Sequence, residues 1–362
     1  AYSVHLEKAR AVQGPSSNFI AAMMGQKEPL PEMAISNKLI GQVASSADVA
    51  IVTIGRNAGE GGDRQAVDGD FYLTPEEKQM IKSVFESFRN AGKKVIAVLN
   101  IGGIIETSSW SNFADAILCA WQPGQETGNA IADILSGKVN PSGKLTATFP
   151  VSYDDTPTAK NFPGTPIKTD SEQAQPPGFS LMPRIPTEVI YEEDIYVGYR
   201  YYNTFQVPVA YPFGHGLSYT DFEYQNLKIP SDPFDSNLSF SVEVKNTGKV
   251  PGKEVVQVYV SAPGKDMDKP ASELVAFGKT KLLRPGESQE MTFDISTSDI
   301  SSFNETSSSW VAEAGEYTLN IGASSTRILQ TGKFFLNEAK QAGTVSRSLL
   351  PNRKIKKLFV KK

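Results

Sequence analysis

At 362 residues the chain is long enough for two domains with cores of their own. Its 36 basic and 40 acidic residues leave a net charge of −4, which gives no reason to expect nucleic acid or an anionic membrane as partner. A single cysteine excludes an intrachain disulfide and a thiolate zinc cluster, and no apolar run approaches the ~20 residues that span a bilayer.

The first residues, AYSVHLEKAR, lack both an initiator Met and the apolar centre of a signal peptide, so the chain is expected to be processed or a fragment. VAIVTI (49–54) is a short continuous apolar run, as in a strand covered on both faces. After a glycine-rich loop comes LTPEEKQMIKSVFESFRNAG. Thr74 is placed as N-cap, Pro75 at the first helical position and Glu77 to complete a capping box. Met80, Ile81, Val84, Phe85 and Phe88 recur at helical spacing until Gly92 stops the helix. KVIAVLN (94–100) and DAILCAW (115–121) predict strands, with Cys119 a small buried hydrophobe. ETGNAIADILSG (126–137) predicts a helix closed by Gly137, and KLTATFP (144–150) a further strand. Strand and helix in alternation imply an α/β domain with a mostly parallel sheet sandwiched by helices.

Residues 151–190 are rich in Pro, Asp and Gly and lack a clear period, as in a functional segment or a connecting wrap. The next stretch, through FEY at 222–224, is dense in Tyr and Phe, which glue two bodies together or line a pocket. From about residue 235 the period becomes two: Leu238, Phe240, Val242 and Val244; Val256, Val258 and Val260; Met291, Phe293 and Ile295; Tyr317, Leu319 and Ile321. Turn signals NTGKVPG, APGKD, RPGES and AGE separate these runs. About seven such strands argue for an all-β, two-sheet sandwich of immunoglobulin or fibronectin III type. The expected organisation is 1–190 for the α/β domain (incomplete at its start) with its wrap, 191–225 for an aromatic linker, 226–336 for the sandwich and 337–362 for a basic tail. Six of the last ten residues are Lys or Arg, giving a solvated tail or a strap across a neighbouring domain.

Residues 55–64, GRNAGEGGDR, put Glu60 among glycines directly after the first strand, where ligands of parallel sheets bind. The glycines let the loop bend sharply and bring a carboxyl group to its tip; a plain glycine turn with an exposed Glu fits the same spacing. NIGGIIE (100–106) lacks the third glycine of a dinucleotide fingerprint, and no nucleophile elbow, P-loop or zinc-protease motif occurs. Glu106 and Glu126 each fall near a helix start, where a carboxylate suits the dipole. His5 and His215 are the only histidines, too few for a histidine-rich metal site; His215, flanked by glycines, fits either a residue facing a cleft or a buried, hydrogen-bonded turn. No metal or cofactor is expected.

Three long stretches resemble family-three glycoside hydrolases, the β-glucosidase group: AILCAWQPGQETGNAIADILSGKVNPSGKLTATFP, DIYVGYRYYNTFQVPVAYPFGHGLSYTDFEY, and NTGKVPGKEVVQVYVSAPGKDMDKPASELVAFGKTKLLRPGES. The resemblance covers residues 40 to 335 and implies an α/β sandwich domain followed by a fibronectin III-like domain. In such enzymes a preceding (β/α) barrel supplies an Asp nucleophile, and a glutamate from a G-E-G loop of the sandwich domain reaches over the barrel mouth as general acid/base. GEGGDR places Glu60 on that position, with Gly62 where an aromatic often stands. Asp63 and Arg64 are expected to pair with each other or with the barrel and so orient the loop.

The family's nucleophile lies in a Ser-Asp-Trp-like motif. Here Trp110, Trp121 and Trp310 follow Ser109, Ala120 and Ser309, so this chain offers no match. The expectation is therefore the carboxyl-terminal part of a retaining, exo-acting β-glucosidase, beginning inside its second domain and inactive without its barrel. Its partners would be a β-glucoside or oligosaccharide and that barrel. The alternative is a noncatalytic carbohydrate-binding or adhesive subunit. Compartment (cytoplasmic, or periplasmic and secreted) and homo-oligomer formation are left open.

Overall fold

The computed structural model describes residues 35–56, 64–167, 187–348 and 353–360. Glu60 and Asp63 therefore lie outside the described residues. Two compact units are formed, one of residues up to Ser136 together with Val151–Tyr153, the other of Gly137–Pro150 and everything from Asp154 onward.

In the first unit, Ser36 caps helix α1 (Asn37–Ser46) by accepting the Leu39 N–H at 3.2 Å. Strand β1 (Val49–Arg56) follows, then α2 (Pro75–Asn90), β2 (Lys94–Ile101), β3 (Ala116–Cys119) and α3 (Thr127–Leu135). The capping box of α2 has both halves: Thr74 Oγ1 accepts from Glu77 N, and Glu77 Oε2 from Thr74 N. Each satisfies one of the N–H groups a helix start leaves orphaned. The three strands pair in parallel in the order β1-β2-β3. Ala50, Val52 and Ile54 of β1 share the buried face with Val95, Ala97 and Leu99 of β2, and Ile81 and Phe88 of α2 are buried with them.

The continuous apolar run of β1 is not covered on both faces. Burial alternates along it, and Val49 and Ile51 on the other face are 40% and 52% exposed. Helix α2 packs on one side of β1, and successive side chains point to opposite sides of the pleat. Cys119 is half-buried rather than fully buried, and desolvation raises its thiol pKa to about 11, which favours the protonated form.

The expected strand at 144–150 shrinks to β4 (Phe149–Pro150) and belongs to the second unit. Its partner is not the parallel sheet but β7 (Val209–Tyr211), in antiparallel pairing. Leu145 likewise exchanges backbone hydrogen bonds with His215 and Gly214. An apolar run announces a strand without announcing its partner.

A short two-strand ribbon, β5 (Thr165–Pro166) with β6 (Thr187–Glu188), precedes helix α4 (Tyr199–Phe205). The sandwich then sets β11 (Glu273–Lys279), β10 (Val255–Ser261), β15 (Gly315–Gly322) and β16 (Ile328–Leu336) in one sheet. The other holds β12 (Ser288–Ser296), β9 (Asn237–Asn246) and β8 (Phe222–Lys228). These seven strands bury the predicted alternating residues in a single core. A small sheet of β13 (Ser302–Asn304), β14 (Ser309–Ala312) and β17 (Lys340–Thr344) stands beside them.

Central strand β10 is buried on both faces, because the aromatic segment lies on its outer side. Tyr199 stacks on Phe213 and meets Tyr259 edge to face, while its hydroxyl accepts the Leu274 N–H at 2.7 Å. Gln257 is buried there with its amide bonded to Gly214 O and Ala323 O, and its carbonyl takes the Tyr259 hydroxyl at 2.6 Å. A Cβ on residue 214 would lie 2.0 Å from Gln257 Oε1, so glycine is required there. The aromatic segment thus works as glue on the sandwich. His215 is half-buried and stacked on Tyr211, and burial lowers its pKa.

Candidate active site

The described residues that flank the candidate site lie at the carboxyl end of the parallel sheet in the first unit, where β1 stops at Arg56 and β2 at Ile101. Alternation along β1 puts Arg56 on the core face, and its guanidinium needs a buried counter-charge. Glu77 supplies it with a two-pronged pair, Nη1–Oε1 at 2.8 Å and Nη2–Oε2 at 2.6 Å. Arg56 also donates to the carbonyls of Asp70 and Tyr72, at 2.9 and 3.3 Å. The carboxylate expected only to cap α2 therefore fixes the last residue before the Glu60 loop as well. Planar bidentate pairing is the strong form of such a contact.

The first described residue after the loop is held in a similar way. Arg64 pairs with Asp70 through Nη1 and Oδ1, and the second oxygen of Asp70 accepts the Gln65 N–H at 2.6 Å. Gly103, from the turn after β2, lies beside the guanidinium: a Cβ there would stand in ordinary contact, 3.4 Å from Arg64 Nη2. Phe71 is buried beneath this turn, edge-on to Tyr72 and Tyr153, and its carbonyl takes the Glu106 N–H at 2.8 Å.

Glu106 is itself buried at 3% exposure. It accepts the N–H and hydroxyl of Ser109 at 2.6 and 2.7 Å, and its backbone carbonyl takes the Trp110 indole N–H at 2.7 Å. The next element is a short 3₁₀ turn, Ser111–Phe113, rather than an α-helix, so Glu106 braces a turn. Glu126 stands at the N-cap of α3 but makes no cap bond with its side chain; it holds Asn129 instead, at 2.6 Å.

Of the three residues singled out from sequence, only Arg64 is among the described residues. Asp70 and the Arg56–Glu77 pair went unremarked as site-builders. The available signal was Arg56 itself, a charge on the buried phase of an apolar strand. Among the described residues no cluster of His, Cys, Asp or Glu is arranged to hold a metal ion, and no helix is long and apolar enough to cross a membrane.

Residues 11–219 match the family model for the glycosyl hydrolase family 3 C-terminal domain, and residues 254–325 that for a fibronectin type III-like domain. β-Glucosidase A of Butyrivibrio fibrisolvens is 39% identical over 349 residues, a match covering 83% of this chain and 39% of that protein. A β-glucosidase of Ruminococcus albus is 36% identical over 327 residues, covering 88% and 32%. The solved structure of β-glucosidase 3B from Thermotoga neapolitana in complex with α-D-glucose superposes with a TM-score of 0.79 at 46% identity, covering 90% of this chain and 44% of that one. The chain thus spans less than half the length of each of these relatives.

Proposed function

The chain belongs to glycosyl hydrolase family 3, and from that membership we propose that it is the carboxyl-terminal part of a retaining β-glucosidase in which Glu60 is the general acid/base. The observation that carries the reading is the position of residue 60. It falls in the stretch between two anchored arginines, Arg56 on Glu77 and Arg64 on Asp70, directly beyond the end of a parallel strand. That end of an α/β sheet is where ligands bind.

Retaining hydrolysis needs two carboxyl groups about 5–5.5 Å apart. In the first step a carboxylate of the barrel domain attacks the anomeric carbon, the glycosidic C–O bond breaks, and Glu60 gives its proton to the departing oxygen. In the second, Glu60 takes a proton from water, the water oxygen bonds to the anomeric carbon, and the ester to the nucleophile breaks. Asp70 and Glu77 act through the arginines as positioning residues, and the chain is inactive without the barrel.

The test is Glu60→Ala in an enzyme reconstituted with its barrel portion. General acid–base help is worth about 10²–10⁴ in rate, so cellobiose turnover falls by that factor. An aryl β-glucoside, whose phenolate leaves with little protonation, loses less, and azide restores turnover by replacing activated water. Full activity in Glu60→Ala would refute the assignment, and equal losses on both substrates without azide rescue would indicate a misfolded loop. Tight saturable binding of cellobiose by this chain alone would favour a noncatalytic binding subunit.

A further inference from the structure

The second unit contains an acidic segment and a basic one, far apart in sequence, that meet. Residues 188–194 carry Glu188, Glu192, Glu193 and Asp194, and residues 353–357 carry Arg353, Lys354, Lys356 and Lys357. Arg353 Nη2 lies 2.9 Å from Glu188 Oε2, and Lys357 Nζ lies 3.0 Å from Asp194 Oδ2. The same ammonium also pairs with Glu305, on the turn between β13 and β14. The Leu358 N–H donates to the Glu192 carbonyl at 2.7 Å, and the backbone of Val360 bonds to the hydroxyl of the fully buried Tyr196.

Both ends of this bridge are prepared by other contacts. Asn304 Oδ1 accepts the N–H groups of Thr306 and Ser307, and Arg347 holds Ser308 Oγ together with the carbonyls of Glu305 and Thr306. That fixes the turn presenting Glu305. On the other side Asn161 donates to Ile190 O at 2.6 Å and to the buried Glu193. Burial works against the charge on Lys357, but hydrogen bonds to Glu305 and Asp194 outweigh it and keep its pKa above the ordinary lysine value.

We propose that residues 353–360 are an intramolecular strap that ties the acidic 188–194 segment to the β13–β14 turn of the sandwich and that loosens as ionic strength rises. Each pair alone is partly exposed, and exposed pairs contribute little singly. Here one ammonium serves two carboxylates from separate elements, a second pair adds Arg353, and a backbone hydrogen bond sets the register. Salt acts on such an assembly because screening shortens to about 3 Å at 1 M. The sandwich core is apolar and insensitive to it, so loosening is local to the strap.

The test is hydrogen exchange on the full chain, reading the Leu358 amide, with the Val258 amide of the sandwich core as internal control. Lys357→Glu, or a rise in NaCl from about 0.02 to about 0.5 M, is expected to speed Leu358 exchange about tenfold while Val258 is unchanged. Lys357→Arg, which keeps the charge, stays near the wild-type rate. Restoring opposite charge in Lys357→Glu with Asp194→Lys and Glu305→Lys recovers protection. A Leu358 amide that is unprotected in wild type at low salt overturns the proposal. So does a Leu358 rate that neither the charge reversal nor salt changes.

Discussion

The sandwich and the α/β unit use apolar strands differently. Strands β9 and β12 bury every second residue, with Leu238, Phe240, Val242 and Val244 opposed to Met291, Phe293 and Ile295, and their polar phase faces outward. Strand β1 is apolar on both phases, yet only Ala50, Val52, Ile54 and the paired Arg56 are buried. In β9 and β12, hydrophobicity and burial coincide because their apolar face closes on the other sheet. In β1, composition overstates burial, and the one charge on the buried phase, Arg56, anchors the end of the strand on Glu77.

Several substitutions break or sharpen this contrast. The largest effect belongs to the sandwich, where Lys269 and Glu313 lie 3.8 Å apart with side chains 4% and 6% exposed. Glu313 also accepts the N–H of Asp266 at 2.7 Å, and desolvation lowers the pKa of Lys269. Glu313→Leu strands a buried ammonium and is expected to cost about 3–5 kcal/mol, while adding Lys269→Met recovers much of it. Urea denaturation of the three proteins measures this. A double variant no better than the single would show that the N–H bonds of Glu313 outweigh its charge.

Within β1 the two phases can be set against each other. Ile54→Ala removes a side chain 2% exposed and is expected to cost about 2–5 kcal/mol. Asp70→Asn weakens the grip on Arg64 and Gln65 by about 1.5 kcal/mol, seen as a lower midpoint for the first unit. Ile51→Ala, at 52% exposure, is expected to stay within about 0.5 kcal/mol. Equal losses at residues 51 and 54 would mean that both faces of β1 are covered in solution, and the contrast would fail.

Legibility in the sequence depended on range. The capping box at Thr74 and Glu77 spans three residues, and the sandwich strands announce themselves through period-two alternation. The second use of Glu77, as counter-ion to Arg56, joins residues 21 apart and left no local trace. The pairing of Phe149 with Tyr211 was hidden for the same reason, so a predicted member of the parallel sheet turned out to belong to the other unit. The basic tail was visible as charge, but its acidic counterpart was recognisable only once the two segments lay side by side.

The sequence by itself determined the two kinds of architecture, the α2 cap, the sandwich core and the family, with Glu60 proposed on its motif. These depend on periodicity and on runs of neighbouring residues, which the chain carries in order. Only the tertiary structure decided which face of β1 is buried, that Arg56 and Arg64 answer to Glu77 and Asp70, and where the tail lies. Ion pairs and sheet partners join residues distant in the chain, and a charge does not name its counter-charge until folding brings the two within a few ångströms.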